Sequence, residues 1–239
     1  MKSKYPHISY AIPVCNEHIE LERLLNQLNE WVDTHDQIII QKDHDNVTDE
    51  VVQVIDKFGE NCKCEFDVIS FPLRNDFASF KNHLKLYCNK DYVFQIDADE
   101  TLGDSLLMDL PVLLYDNPDT DLFFLPRINI VKGLTTEYAE SQHWQLRKTD
   151  FPIAKEMSEY VVNFPDRQAR LFKNKPEIKW RNRVHEVVTG HKSYIDMASG
   201  MSELDPEQIQ SWCLIHIKDL DRQIKQNEKY SRIIKSSYE

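Results

Sequence analysis

The chain holds 239 residues, 41% hydrophobic and 29% charged, the balance of a globular protein with a substantial core. Its net charge of −11, from 29 basic and 40 acidic residues, argues against a protein that grips nucleic acid through a basic face. Its five glycines, the closest pair ten residues apart, exclude both G-x-G-x-x-G and G-x-x-x-x-G-K-S/T. A phosphate-bearing ligand is therefore expected to be held by a metal ion, Lys or Arg instead of a glycine loop.

Ile8 to Val14 is a β-rich apolar run that ends in a turn. From Ile19 to Val32, Leu21, Leu24, Leu25, Leu28 and Trp31 recur at helical spacing. Gln37 to Gln41 encloses Ile38, Ile39 and Ile40, a short buried strand. Thr48 to Phe58 reads as helix, Cys64 to Phe71 as strand, Asp76 to Cys88 as helix and Asp91 to Ile96 as strand. This alternation predicts an α/β fold with a mainly parallel central sheet flanked by helices. In such sheets ligands sit beyond the C-terminal strand ends. That rule singles out Pro13–Glu17, Lys42–Asp49, Pro72–Asp76 and Asp97–Glu100.

The second half reads differently. Asp104 to Tyr115 is expected to be helical, broken or kinked by Pro111. Leu122 to Val131 is a strand, and 132–165 reads as irregular. Ala169–Phe172 and Ile178–Val188 read as strands, with a hairpin across Asn174-Lys175-Pro176. Leu220 to Ile234 is a polar helix. The expected organisation is one domain over 1–239, with a ligand-binding half over about 1–102 and an elaborated half over about 103–239. No apolar run approaches a membrane span, and the start has no secretory pattern, so a cytoplasmic protein is expected. Five cysteines without C-x-x-C spacing read as reduced thiols. No sequence feature specifies an oligomeric state.

The sharpest chemical feature is Ile96-Asp97-Ala98-Asp99-Glu100 at a strand end. Two carboxylates at i,i+2 can face one side once the pleat ends, and hard cations take carboxylates together with substrate phosphates. The structural alternative is a solvated turn with Asp99 or Glu100 near a helix N-terminus. In Pro13-Val14-Cys15-Asn16-Glu17, Asn16 and Glu17 can hydrogen-bond a base or ribose, or Asn16 can cap the next helix. In Lys42-Asp43-His44-Asp45-Asn46-Val47-Thr48-Asp49, Asp43 or Asp45 can bind a sugar or base edge. Arg74 and Lys81 flank a helix start that suits phosphate.

These residues, taken in order, resemble family 2 glycosyltransferases of the GT-A, nucleotide-diphospho-sugar transferase fold. The matching features are Pro-Val-Cys-Asn-Glu, an acidic Thr-Asp loop, a Lys-Asn helix and Asp-Ala-Asp-Glu. Arg170-Leu-Phe, then Trp180-Arg-Asn-Arg183-Val-His185-Glu186, resembles the bacterial branch with Arg-Leu-Phe and His-Glu motifs. The resemblance implies metal-dependent, inverting transfer of a sugar from a nucleotide-diphosphate sugar to an acceptor hydroxyl. It implies a nucleotide-sugar site of Pro13, Asn16, Glu17, Asp43 or Asp45, Asp97 and Ala98, with Arg74, Lys81 and Arg170 helping the diphosphate. Asp99 would ligate Mn²⁺ or Mg²⁺, joined by Asp97 and by a late histidine, His216 first and His185 second. Glu186 would be the catalytic base, with Asp166 and Glu137 as fallbacks. Arg170, His185 and Trp180 would face the acceptor or a phosphate, and Tyr138, Trp144 and Tyr160 could stack on sugar rings. A UDP-sugar is the expected donor. The acceptor would be a glycan, a lipid-linked glycan met at the inner membrane, or a protein. Two other classes stay open: a nucleotidyltransferase, which would release pyrophosphate, and a non-catalytic nucleotide-sugar-binding domain.

Overall fold

The continuous apolar runs near the N-terminus become strands covered on both faces. The computed structural model describes residues 4–236 except 156, 200, 202 and 203. Its elements, in chain order, open with β1 (Ile8–Val14), α1 (His18–Trp31), β2 (Gln37–Asp43), α2 (Asp49–Gly59), β3 (Glu65–Phe71), α3 (Phe77–Lys85) and β4 (Tyr92–Gln95). There follow β5 (Glu100–Leu102), α4 (Asp104–Asp116), β6 (Leu122–Lys132), α5 (Thr136–Ser141), β7 (Leu146–Lys148) and β8 (Tyr160–Lys173). The last are β9 (Lys179–Arg181), β10 (Val187–Thr189), β11 (Tyr194–Asp196), α6 (Pro206–Ser211), β12 (Leu214–Asp219) and α7 (Leu220–Ser236).

The chain forms two compact units. The first comprises Met1–Thr101, Leu107–Phe124 and Ala169–Ile195. In it β3, β2, β1 and β4 lie side by side, all parallel. The end of β8 closes this series antiparallel to β4, pairing Val93 with Phe172. β1 and β2 are buried almost throughout, as strands covered on both faces must be. β3 alternates exposed and half-buried residues, as an edge strand does. One core cluster packs Ala11, Ile39, Ala78, Leu84, Val93 and Phe172 against Trp180 and Val188 of a separate ribbon, β9 with β10. Because β1–β4 run the same way, the loops after them share one edge.

The second unit comprises Leu102–Leu106, Leu125–Gln168 and Asp196–Glu239. Here β12 runs parallel to β6, pairing His216 with Asn129, and β7 is antiparallel to β8. Its core gathers Ile128, Ile130, Phe151, Ala154, Val161, Ile209 and Cys213. α6 is held by a capping box: Asp205 accepts from the Gln208 backbone, and Gln208 answers to the Asp205 backbone.

Of the two outcomes expected at Pro111, the break does not occur: Pro111 lies inside α4, which runs from Asp104 to Asp116. Two further expectations need correction. The region 132–165 is not wholly irregular, since α5, β7 and the start of β8 lie there. The expected hairpin does not form across Asn174–Pro176. β9 pairs instead with β10, and the reversal falls between Arg181 and Val187. Positions 156, 200, 202 and 203, in the segments 132–165 and 188–212, lie outside the described residues. No helix among the described residues is long and apolar enough to cross a membrane.

Candidate active site

Four polar loops follow the parallel strands of the first unit, and each is organised by its own carboxylate. After β1, Glu17 folds back so that Oε2 accepts from the backbone amides of Cys15 (2.9 Å) and Asn16 (3.0 Å). Glu17, not Asn16, is the N-cap residue of α1, and Asn16 is exposed. Pro13 is in β1, opposite Gln41. After β2, Asp43 is buried. It accepts from Asn46 Nδ2 (2.8 Å), the Leu73 amide (3.1 Å) and the Asp45 amide (3.3 Å). Asp43 therefore ties the second and third loops together, and Asp45 is the exposed carboxylate of the pair. After β3, Arg74 and Asn75 both adopt positive φ (44° and 58°), a costly conformation for side-chain-bearing residues that concentrates at functional sites. Asp76 then caps α3, accepting from the Ser79 amide at 2.9 Å.

The fourth loop carries the acidic motif and is bound to two buried cations. Arg170 Nη2 donates to Asp97 Oδ2 and, at 2.9 Å, to Glu100 Oε1. Glu100 is fully buried and its Oε2 also accepts from the Asp97 amide at 3.0 Å. The other oxygen of Asp97 faces Gln95 Nε2 at 3.1 Å and Lys81 Nζ at 3.6 Å. Lys81 is buried too, and its ammonium lies 2.7 Å from Glu186 Oε1 and 4.7 Å from the centre of the Trp180 ring. A chain of charges thus runs Glu100–Arg170–Asp97–Lys81–Glu186. Burial by itself lowers the Arg170 pKa, but Asp97 and Glu100 more than offset it, so the guanidinium is held charged. Ala98 is buried and Asp99 half-buried in the same turn. Two buried polar atoms beside Asp97, Gln95 Oε1 and Arg170 Nε, have no hydrogen-bond partner among the described residues, so the site retains polar capacity.

Of the sequence candidates, Lys81, Asp97, Arg170, Trp180 and Glu186 converge. Arg74 and His185 are exposed nearby in sequence and fold: the Phe77 amide, two residues past Asn75, donates to Arg183 O at 2.9 Å. His216 belongs to the second unit, where Nδ1 faces Asn129 Oδ1 at 3.2 Å. Among the described residues no group of three or more His, Cys, Asp or Glu side chains is arranged to hold a metal ion. Asp97 faces the cations Arg170 and Lys81, and Asp99 lies half-buried two residues further along the same turn. One carboxylate suits Mg²⁺ or Mn²⁺ where substrate phosphates supply further ligands. Sequence reasoning missed Glu100 as a partner of Arg170. Its position directly after the acidic pair was visible, but a contact across 70 residues of chain was not.

Asp166, the fallback base, is saturated. Its Oδ2 accepts from Arg127 Nε (3.0 Å), Arg127 Nη2 (2.7 Å) and Asn129 Nδ2 (2.8 Å), and its Oδ1 from Gln168 Nε2 (2.8 Å). Burial would raise its pKa, but Arg127, Asn129 and Gln168 together hold it below the ordinary carboxylate value.

The first unit is thus a mostly parallel sheet with an acidic turn at a central strand end. Residues 9–180 match the family described as Glycosyl transferase family 2, and the chain belongs to that family. The same fold is seen in TarS of S. aureus, residues 1–349, with a TM-score of 0.54 and 12% identity over 81% of this chain and 58% of that one. The TarS complex with UDP-GlcNAc gives a TM-score of 0.51 and 14% identity over 83% and 61% of the two chains. This chain therefore spans about three fifths of the TarS chains it resembles. No curated protein sequence matches it.

Proposed function

We propose that the protein transfers a sugar from a nucleotide-diphosphate sugar, with a UDP-sugar as donor, to an acceptor hydroxyl by a single inverting displacement. The observation that carries this reading is the Arg170–Asp97–Lys81–Glu186 chain at the end of β4. Two carboxylates, Asp97 and Glu186, flank one buried ammonium, Lys81; in this reading the first serves the ribose of the donor and the second takes the acceptor proton. Membership of the family supports the reaction class, and the UDP-GlcNAc complex of TarS supports the donor class.

In this scheme the exposed Asp45 and Asn16 meet the nucleotide, while Glu17 and Asp43 shape the loops that receive it. Asp97 hydrogen-bonds the ribose. Asp99 would hold the divalent ion, Mn²⁺ or Mg²⁺, which when bound would supply Lewis-acid neutralisation of the leaving diphosphate. Arg74 adds a cation on that side. The acceptor hydroxyl attacks C1, its proton passes to Glu186 Oε, and the nucleoside diphosphate departs with the C1–O electron pair. Lys81 fixes the Glu186 carboxylate through the 2.7 Å ion pair, so the base is positioned before the acceptor arrives. The reading includes a cytoplasmic location, with a lipid-linked acceptor met at the membrane surface.

Glu186→Gln is expected to keep donor affinity and to lower turnover by about 10²- to 10⁴-fold, the usual worth of a positioned base. Titration with UDP and assay of nucleoside diphosphate release measure the two separately. Unchanged turnover would remove Glu186 as the base. Release of pyrophosphate would replace the reading with nucleotidyl transfer.

A further inference from the structure

One segment of the first unit has a strong excess of basic over acidic residues. Residues 170–192 hold seven Lys and Arg against two Glu, within a chain of net charge −11. Three of these seven cations are held in ion pairs. Arg170 is bound to Asp97 and Glu100, while Lys173 and Lys175 face Asp121 at 3.8 and 2.7 Å. Lys179, Arg181 and Arg183 are exposed and make no ion pair among the described residues.

Their placement follows from the ribbon. In β9, Trp180 is buried in the core between exposed Lys179 and exposed Arg181. Alternation along a strand puts Lys179 and Arg181 together on the opposite, outer face. Across the ribbon they pair with Thr189 and Val187, so the outer face of the paired strands carries two cations, a hydroxyl and an aliphatic side chain, with no carboxylate. Arg183 stands in the turn that closes the ribbon, and that turn is fixed. Its carbonyl accepts from the Phe77 amide, and Asn182 and His185 hold positive φ (73° and 52°). The same turn delivers Glu186 to Lys81.

We propose that Lys179, Arg181 and Arg183 form a phosphate-binding platform that holds a phosphate-bearing acceptor beside Glu186. Guanidinium groups bind phosphate oxygens in a bidentate fork, and three unneutralised cations on a rigid ribbon suit an acceptor with more than one phosphate. The ligand is assigned to the acceptor because the turn carries the proposed base; to that extent the inference rests on the reading of Glu186 given above.

The test uses the full chain, a short inorganic polyphosphate as probe, and UDP. Lys179→Gln/Arg181→Gln/Arg183→Gln is compared with wild type and with Arg232→Gln, an exposed substitution on α7. The triple variant is expected to lose at least about tenfold in polyphosphate affinity and to flatten its salt dependence. Its UDP affinity and melting temperature should stay unchanged, Arg232→Gln should bind as wild type, and polyphosphate should bind without competing with UDP. Equal polyphosphate binding by the triple variant would overturn the proposal. So would competition with UDP, or a parallel loss of UDP affinity, which would assign the cations to the donor side. Binding of wild type to phosphatidylglycerol vesicles but not to polyphosphate would overturn it in favour of a membrane surface. Failure of Glu186 as the base shows only in the turnover of Glu186→Gln, so the two readings fail separately.

Discussion

Each unit of this protein contains a carboxylate bound to arginine, and the two arrangements differ in how the charges are shared. In the first unit Arg170 serves both Asp97 and Glu100, and Lys81 serves both Asp97 and Glu186. Arg170, Asp97 and Lys81 each have two charged partners there, so a ligand can redistribute the contacts. In the second unit four donor contacts converge on Asp166 alone. A carboxylate stabilised in its ionised form by so many donors is a poor proton acceptor and a good lock between β6 and β8. Carboxylate, arginine and amide therefore give a reactive site where charges are shared and a structural one where a single acceptor is saturated.

The largest effect is expected from breaking the shared site. Arg170→Met keeps bulk but leaves Asp97 and fully buried Glu100 without their guanidinium. Removing one partner from a buried ion pair costs about 3–5 kcal/mol. For a chain of this size that lowers the melting temperature by about 6–20 °C. UDP affinity should fall with it, because Asp97 loses its anchor. A variant that melts like wild type would show that Arg170 is not the centre of the network.

The saturated site should respond less, and in a pH-dependent way. Asp166 has a folded pKa below its unfolded value, so its stabilisation is fully present above the ordinary carboxylate pKa of about 4. It is lost as pH falls through the folded value. Asp166→Asn should therefore cost about 1–3 kcal/mol near neutral pH, and the gap to wild type should close in thermal melts taken at progressively lower pH below 4. Turnover should change far less than in Glu186→Gln. Turnover in Asp166→Asn that falls as far as in Glu186→Gln would move the base to Asp166.

The contrast also explains what could be read from the sequence. From β1 to β4 the element boundaries fall within a few residues of the apolar periodicities, because burial on both faces leaves continuous Ile, Val and Phe runs. The acidic pair was legible for the same reason, as a polar break after Tyr-Val-Phe-Gln-Ile. β8 was only partly legible. Its first nine residues include Asn163 at φ 54°, Pro165 and Asp166. They break the strand pattern, and two of the side chains that satisfy Asp166, Arg127 and Asn129, lie on β6, some 37–39 residues away. The turn between β9 and β10 was hidden too, since Arg181-Asn-Arg183-Val-His185-Glu186 contains no glycine and reaches positive φ through Asn182 and His185. Partnerships such as Lys81 with Glu186 belong to topology, which puts residues from distant segments on one edge.

The smallest effect tests how far saturation extends. Gln168 gives Asp166 one bond, to the oxygen that Arg127 and Asn129 do not use. Gln168→Ala removes that bond without leaving a charge unpaired, because both Arg127 contacts remain. The expected cost is about 0.5–1.5 kcal/mol, that of a single half-exposed hydrogen bond, with donor binding and turnover unchanged. A larger loss, approaching that of Asp166→Asn, would mean that the donors act as one cooperative unit. In a double-mutant cycle the Gln168→Ala effect should disappear in the Asp166→Asn background if the bond is its whole contribution. An effect that persists there would assign Gln168 a packing role instead, and the lock would then consist of Arg127 and Asn129 alone.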